Sequence, residues 1–254
     1  MSKNCWNCSR RNGPPPVADP VTILAENLGA IRQRIAGAAA RSGRDATDVR
    51  LVAITKYISA DILPALVQAG ATDLGESRPQ ELWSKAAALD APDVHWHLVG
   101  HLQRNKIRRT LPLVDLIHSV DSPRLLEAIE REAAAAHCRV RVLLEVNISQ
   151  EPAKHGFPPD TLASLLPQLA AAPHVAIEGL MAMAHRQGGP ETARRDFAAL
   201  RQLRDRLQAD APQHVRLNEL SMGMSGDFEE AIAEGATLVR IGTALYEGLT
   251  PSPR

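Results

Sequence analysis

The sequence lacks the long hydrophobic runs and the excess of charge that define several classes of protein. No apolar stretch approaches the roughly 18–20 residues that a membrane span requires, and the first residues lack the apolar core of a secretory signal. Basic and acidic side chains number 29 each, so net charge favours neither nucleic acid nor an anionic membrane. The single basic run, at 104–109, is better explained as a solvated or anion-facing helix surface than as an RNA site. These absences predict a cytoplasmic protein that binds neither nucleic acid nor membrane.

Cysteine is also scarce. Three cysteines among 254 residues cannot make a disulfide framework. Cys5 and Cys8 form a CxxC motif, but no second pair of zinc ligands follows nearby. A redox CxxC normally lies where a strand meets a helix, whereas this one lies in a polar segment that runs into three prolines. Residues 1–19 are therefore predicted to be a flexible extension, with a metal or redox role as the alternative. Residues 20–254 are predicted to form one domain.

The rest of the chain alternates short apolar runs with longer helical stretches. Leucine and isoleucine repeat at helical spacing from Leu24 to Ile35, which predicts a first helix over 21–42. Eight apolar runs then predict strands at 51–55, 72–75, 95–100, 116–120, 140–147, 175–180, 215–220 and 238–241. Between them lie predicted helices at 59–70, 78–89, 102–111, 122–137, 159–172, 190–210 and 227–235.

This count predicts an α/β fold, a single (β/α)8 TIM barrel with an extra N-terminal helix. An open doubly wound sheet normally has fewer strands and a glycine-rich first turn, and no GxGxxG motif occurs. In a barrel of this type the functional residues collect at the carboxyl ends of the strands.

Two segments of small residues follow the seventh and eighth predicted strands, where barrels often bind phosphate. Both offer backbone N–H groups and hydroxyls, and a helix predicted to begin near Asp227 adds the positive end of a dipole to the first. They predict a phosphate site whose residues are Ser221, Met222, Gly223, Ser225, Gly242 and Thr243.

Lys56 and Arg240 stand at the ends of the first and eighth predicted strands, which are neighbours in a closed barrel. A lysine held at the barrel mouth would lose hydration, which favours the neutral amine that attacks a carbonyl. A phosphate site together with such an amine predicts pyridoxal 5′-phosphate as cofactor, with Arg240 facing the pyridine nitrogen. Taken separately, Lys56 is better explained as an ion-pair partner and Arg240 as a structural side chain, and only their combination with the phosphate site favours a function.

The motifs LVAITK, HLQRNK and SMGMSGDFEEAIAEGATLVRIGT together resemble the pyridoxal phosphate homeostasis family, whose fold is that of the alanine racemase N-terminal barrel. The resemblance runs from about residue 28 to residue 248. It implies that Lys56 holds the cofactor as a Schiff base and that Asn147 and Met181 line the ring pocket. The chain departs from the family pattern at Thr55, Ser77 and Gly226, where serine, asparagine and an acidic residue are usual.

We expect little or no catalysis from such a site. An arginine opposite the ring nitrogen disfavours the pyridinium ion and makes the cofactor a weaker electron sink. Racemisation needs a second base, which alanine racemases supply as a tyrosine from another subunit, and they carry a further β-domain for which this chain has no room. Neither Tyr57 nor Tyr246 has the context of that base. The expected function is that of a monomeric carrier or buffer of pyridoxal phosphate, with indirect effects on amino-acid pools and with pyridoxal-phosphate-dependent apo-enzymes as candidate recipients.

Two other functions remain open at this point. One is a weak racemase that depends on pyridoxal phosphate. The other is a metal-dependent barrel hydrolase, because His95 and His97 have the HxH spacing of metal ligands and His101 is near. The carboxylate and lysine partners of such a hydrolase site are not apparent, so hydrogen-bonded packing is the preferred explanation for these histidines.

Overall fold

The computed structural model describes residues 19–151, 154–185, 187–212 and 215–249. Eight parallel strands, hydrogen bonded in chain order, close into a barrel in which the eighth pairs with the first. They are β1 (Arg50–Ile54), β2 (Asp73–Glu76), β3 (His95–Leu98), β4 (Leu116–Val120), β5 (Val140–Glu145), β6 (Val175–Met181), β7 (Glu219–Met224) and β8 (Leu238–Ile241). The predicted barrel is therefore confirmed. The predicted flexible extension lies, apart from Asp19, outside the described residues.

The helices surround the barrel. They are α1 (Pro20–Arg41), α2 (Leu63–Gln68), α3 (Pro79–Ala88), α4 (Ile107–Thr110), α5 (Pro123–Ala135), α6 (Pro159–Leu169), α7 (Gly189–Asp210) and α8 (Phe228–Ala233). Several begin with proline, whose fixed φ and missing N–H suit the first turn of a helix. Within the part of the chain that the structure describes, no helix is long and apolar enough to cross a membrane.

Helix α1 is the predicted N-terminal helix, and it completes the outer ring. It packs against α8 on one side and α2 on the other. In the described residues after β8, which end at residue 249, the chain forms only a short 3₁₀ turn, Thr243–Leu245, and α1 takes the place of an outer helix after β8. The leucines and isoleucines at helical spacing are buried, as the sequence predicted.

Side chains alternate between two cores because successive strand residues point to opposite faces. One set packs under the helices in a large hydrophobic cluster. A second cluster fills part of the barrel interior with Val52, Ile54, Leu116, Leu143, Met181 and Leu238. Polar side chains also lie within the protein, and His97, His118, Ser221 and Arg240 are all buried.

Strand β7 lies four residues later than the predicted range of 215–220. Ser221 to Met224 therefore belong to the strand and not to a turn after it. The pairing of β7 with β8 shifts register between these two residues, and Gly223 has a φ of 89°. A Cβ atom at Gly223 would come within 2.6 Å of the Ala231 Cβ atom, so glycine allows α8 to pack closely against this irregular strand.

Candidate functional site

Arg240 lies within the barrel, where its guanidinium is held by two acceptors. Its Nη1 donates to Ser221 Oγ at 2.6 Å, and its Nη2 donates to the carbonyl of Ala182 at 3.0 Å. Burial lowers the pKa of Arg240 to about 10, while Asp227 and Glu145 act in the opposite direction. The side chain is therefore a fixed positive charge at neutral pH.

Lys56 lies two residues beyond β1, the strand that pairs with β8. The register places Val52 of β1 opposite Arg240, so Lys56 follows the strand next to the one that carries Arg240. The Lys56 side chain is exposed, and its Nζ lies 4.7 Å from the centroid of the Tyr57 ring. The expected loss of hydration at Lys56 is thus wrong for this structure, because burial ends at Thr55, one residue after β1, and Lys56 lies in a turn.

A buried polar network fixes the residue before Lys56. Lys85 Nζ donates to the carbonyl of Thr55 at 2.7 Å and to Glu76 Oε1 at 2.6 Å. The Thr55 hydroxyl donates to the same carboxylate oxygen at 3.0 Å, and the backbone N–H of Ser77 donates to Glu76 Oε2. Sequence reasoning missed Lys85. The available signal was that Lys85 lies three residues after Leu82 and therefore on the buried face of α3. A lysine on a buried face needs a partner for its charge.

The two predicted phosphate-binding segments meet at one hydrogen bond. Gly242 N–H donates to Ser225 Oγ at 3.2 Å. Asp227 Oδ1 accepts the N–H of Met224 at 2.6 Å and so holds the chain where β7 leads into the six-residue helix α8. The structure thus brings Ser225 and Gly242 together.

Individual side chains of these segments lie in different surroundings. Met222 is fully buried in the hydrophobic core, which leaves only its backbone for a ligand. Thr243 is exposed after β8. The Ser221 hydroxyl contacts Arg240 and His118, so it is already engaged within the protein.

Asn147 and Met181 lie at the ends of two neighbouring strands, as predicted. Asn147 follows β5, and its Nδ2 donates to the carbonyl of Glu151 at 2.9 Å. Its Oδ1 is buried and has no hydrogen-bond partner among the described residues, which makes it an acceptor open to a ligand donor. Met181 ends β6 inside the barrel and directly precedes Ala182, the residue that accepts from Arg240.

Glu145 at the end of β5 is a titratable group that sequence reasoning did not single out. Burial raises its pKa to about 7, and the charge of Asp121 acts in the same direction. Arg240 and His101 oppose that shift. The site therefore contains a carboxyl group that changes charge near neutral pH. A carboxylate inside the otherwise apolar run 142–146 was the available signal.

The histidines of the metal-hydrolase hypothesis lie in separate surroundings. His95 is exposed and lies 3.2 Å from an Asp115 oxygen, whereas His97 is buried and contacts His118. His101 Nδ1 lies 3.0 Å from an Asp121 oxygen, and its ring stacks on that of His155 with planes 23° apart. Ligand atoms of His101, Asp121 and His155 lie within 4.8 Å of one another, as those of a metal site can. The HxH pair on which the hypothesis was based, His95 and His97, is not part of this cluster.

Comparison with known proteins assigns the family. Residues 27–251 match the alanine racemase N-terminal domain. The chain is also 39% identical over 221 residues to the pyridoxal phosphate homeostasis protein of Aquifex aeolicus, which covers 87% of this chain and 96% of the relative. The chain belongs to the pyridoxal phosphate homeostasis family.

Solved structures agree with this assignment. PipY of Synechococcus elongatus, solved with pyridoxal phosphate bound, is 38% identical and aligns with a TM-score of 0.79, covering 88% of this chain and 99% of PipY. Alanine racemase from Clostridium difficile aligns with a TM-score of 0.71 at 15% identity, covering 91% of this chain and 58% of the racemase. The second likeness shows the fold alone. The family and fold that the sequence motifs predicted are thus confirmed.

Proposed function

We propose that this protein binds pyridoxal phosphate as a Schiff base on Lys56 and serves as a carrier or buffer in its homeostasis. The observation that carries the proposal is the pairing of β1 with β8: an exposed lysine follows β1, and the neighbouring strand carries the buried and fixed Arg240. The names of its relatives and the PipY complex support the same cofactor. When bound, the cofactor supplies an aldehyde that can condense with an amine.

The residues present fit this cofactor. Lys56 offers an exposed amine, and Asn147 Oδ1 is a buried acceptor without a donor in the described chain. Arg240 would face the ring nitrogen, with Met181 beside the ring. The phosphate would be held by backbone N–H groups and hydroxyls of Ser221, Met222, Gly223, Ser225, Gly242 and Thr243. Because the Ser221 hydroxyl bonds Arg240, we assign that side chain to the support of the guanidinium and its backbone to the phosphate.

The same residues argue for binding without catalysis. A fixed positive charge opposite the ring nitrogen disfavours its protonation, which weakens electron withdrawal by the ring. The hydroxyl of Tyr246 is buried, and burial raises its pKa above the usual range, which makes it a poor proton acceptor at neutral pH. A weak racemase activity remains the alternative. Incubation with single amino-acid enantiomers, followed by chiral analysis, tests it directly.

A single experiment tests the cofactor assignment. The purified protein should absorb in the visible range, and borohydride should attach one pyridoxyl group to the peptide that contains Lys56, as read by mass spectrometry. Lys56→Ala should abolish both signals, whereas Lys106→Ala should retain them. A pyridoxyl group on another lysine of the unmutated chain, or none at all, would contradict the proposal.

Four further features belong to the proposal. We place the protein in the cytoplasm as a monomer that passes the cofactor to pyridoxal-phosphate-dependent apo-enzymes and binds neither nucleic acid nor membrane. The balanced charge of the sequence supports the last point. Light scattering during size-exclusion chromatography tests the oligomeric state. Mixing the loaded protein with an apo-enzyme and following the recovery of enzyme activity tests transfer.

A further inference from the structure

A line of polar side chains, buried except for the partly exposed Asp73, crosses the barrel interior and ends at Arg240. Asp73 Oδ1 lies 3.1 Å from His97 Nε2, and His97 Nδ1 lies 2.9 Å from His118 Nε2. His118 Nδ1 lies 2.8 Å from Ser221 Oγ, which accepts from Arg240 Nη1. The step from β4 to β7 joins strands that are not neighbours in the sheet, so this line connects opposite walls of the barrel.

The two ends of the line fix the direction of every hydrogen bond in it when both histidines are neutral. An arginine only donates, and an ionised carboxylate only accepts. His97 must then donate from Nε2 to Asp73, which leaves its Nδ1 as an acceptor. His118 in turn donates from Nε2 to His97 and accepts at Nδ1. The Ser221 hydroxyl therefore donates to His118 and turns a lone pair toward Arg240.

The surroundings of His118 and Asp73 support the states assumed for these two residues. Burial lowers the pKa of His118 well below its usual value, and interactions with His97 and Arg240 act in the same direction. Burial raises the pKa of Asp73, but hydrogen bonds from His97 and Thr72, together with charge interactions with His97 and Arg50, lower it overall. His118 is therefore neutral and Asp73 ionised at neutral pH. With both histidines neutral, each hydrogen bond along the line from Asp73 to Arg240 then joins one donor to one acceptor.

We propose that His118 and His97 are positioning residues of the cofactor site. They hold the Ser221 hydroxyl as a hydrogen-bond acceptor for Arg240 and thereby fix the guanidinium that would face the cofactor ring. This inference rests on the proposed function for its consequence, but not for its hydrogen-bond directions. Neither histidine touches the proposed ligand; both act through Ser221. Hydrogen bonds in such a line polarise one another, so the carboxylate of Asp73 strengthens the acceptor that Arg240 uses.

Substitutions at His118 separate positioning from bulk packing. His118→Leu has a similar volume but no acceptor, and it should weaken pyridoxal phosphate binding about three- to tenfold, because one hydrogen bond to the supporting hydroxyl is lost. His118→Asn keeps an acceptor at the δ position facing Ser221, and its affinity should stay within about twofold of the unmutated protein. Thr110→Val is the matched control. It removes a buried hydroxyl that accepts from Trp83 Nε1 in the helical layer, and binding should not change.

Nuclear magnetic resonance of the full chain, with and without added pyridoxal phosphate, gives a second readout. With ¹⁵N-labelled histidine, both His97 and His118 should be protonated at Nε2 and unprotonated at Nδ1. The guanidinium protons of Arg240 should exchange slowly in the unmutated protein and in His118→Asn, and rapidly in His118→Leu. A purely structural histidine would not alter the exchange of Arg240 in this pattern.

The outcomes distinguish this inference from the proposed function. A proton on Nδ1 of His118 would reverse the line and overturn the inference, and so would equal Arg240 exchange in all three proteins. Unchanged cofactor affinity in His118→Leu would overturn the positioning role. An unmutated protein that binds no pyridoxal phosphate would overturn the proposed function alone, because the nitrogen spectra and the Arg240 exchange decide the hydrogen-bond line without the cofactor.

Discussion

Lys85 Nζ lies 2.6 Å from Glu76 Oε1, and both side chains are almost fully buried beneath the mouth of the barrel. The same ammonium donates to the carbonyl of Thr55, the residue that precedes Lys56. This ion pair therefore anchors the end of the strand from which the proposed Schiff-base lysine projects. Replacing one residue of such a buried ion pair destabilises the fold strongly, because the remaining charge is buried without a partner.

Lys85→Met is expected to lower the free energy of unfolding by about 3–5 kcal/mol, because it leaves the carboxylate of Glu76 buried and uncompensated. The double variant Lys85→Met with Glu76→Gln should recover much of that loss. Urea denaturation at neutral pH measures both, with Lys106→Met as the control. A loss of less than about 1 kcal/mol in Lys85→Met would show that the pair contributes as little as a surface salt bridge.

Arg240→Gln should weaken binding of pyridoxal phosphate by tenfold or more, because hydrogen bonds that involve a charged group contribute about 1.5–3 kcal/mol each. Arg240→Lys keeps the charge but cannot reach Ser221 and Ala182 with a planar fork, so we expect an intermediate loss. Absorbance titration measures the affinity, and circular dichroism checks the fold. An affinity equal to that of the unmutated protein in a folded Arg240→Gln variant would contradict a ring-facing role.

Glu145 should make stability depend on pH between about 4.5 and 7. Burial raises its pKa in the folded protein to about 7 from an ordinary value of 4.5, so the folded state holds the proton more tightly. The stabilisation is complete below about pH 4.5 and is lost as the pH rises through 7, by up to about 3 kcal/mol. Glu145→Gln removes this effect.

Urea denaturation of both proteins at pH 5 and pH 8 measures the difference attributable to Glu145. Relative to the unmutated protein, Glu145→Gln should gain stability between the lower and the higher pH. Other titrating groups cancel in this comparison because both proteins share them. A stability difference that stays constant between the two pH values would mean that Glu145 titrates normally in the folded state.

Asp227→Ala should loosen the end of β7, because Asp227 Oδ1 accepts the N–H of Met224. We expect a loss of about 1 kcal/mol in stability and about a three- to tenfold loss in cofactor affinity. Gly226→Ala is a matched control, since nothing lies within 4 Å of the Cβ atom it would add. Equal affinities in the two variants would exclude a role for this hydrogen bond in shaping the site.

The fold was predictable because most of its strands are visible in the sequence as short apolar runs. The predicted ranges for β4 and β8 agree with the structure to the residue. Strand β7 was placed four residues early because its true sequence, from Glu219 to Met224, contains serine and glycine and not a continuous apolar run. Hydrogen bonds from β6 and β8 extend these residues, and a single-sequence pattern does not contain that influence.

The candidate site was predictable only in part. The ends of strands can be predicted from a sequence, but the contacts between side chains of different strands cannot. Lys56 and Arg240 were singled out by their place at the ends of predicted strands, and their roles stay a prediction. His118 and Ser221 are 103 residues apart and meet only because the barrel closes. Their contact depends on how the strands tilt and stagger around the barrel, which the sequence pattern does not encode.

The position of α1 has a consequence for how the chain folds. The side chain of Asn27 donates to the carbonyls of Leu245 and Glu247, about 220 residues further along the chain. Helix α1 therefore leaves the ribosome before every strand of the barrel, and Asn27 must wait for acceptors that are made after the last strand. Contacts of such long range form late and slowly. We therefore expect the barrel to complete its assembly only after the last strand has been synthesised. A ribosome-bound nascent chain that still lacks β8 would expose the apolar face of α1 to chaperones.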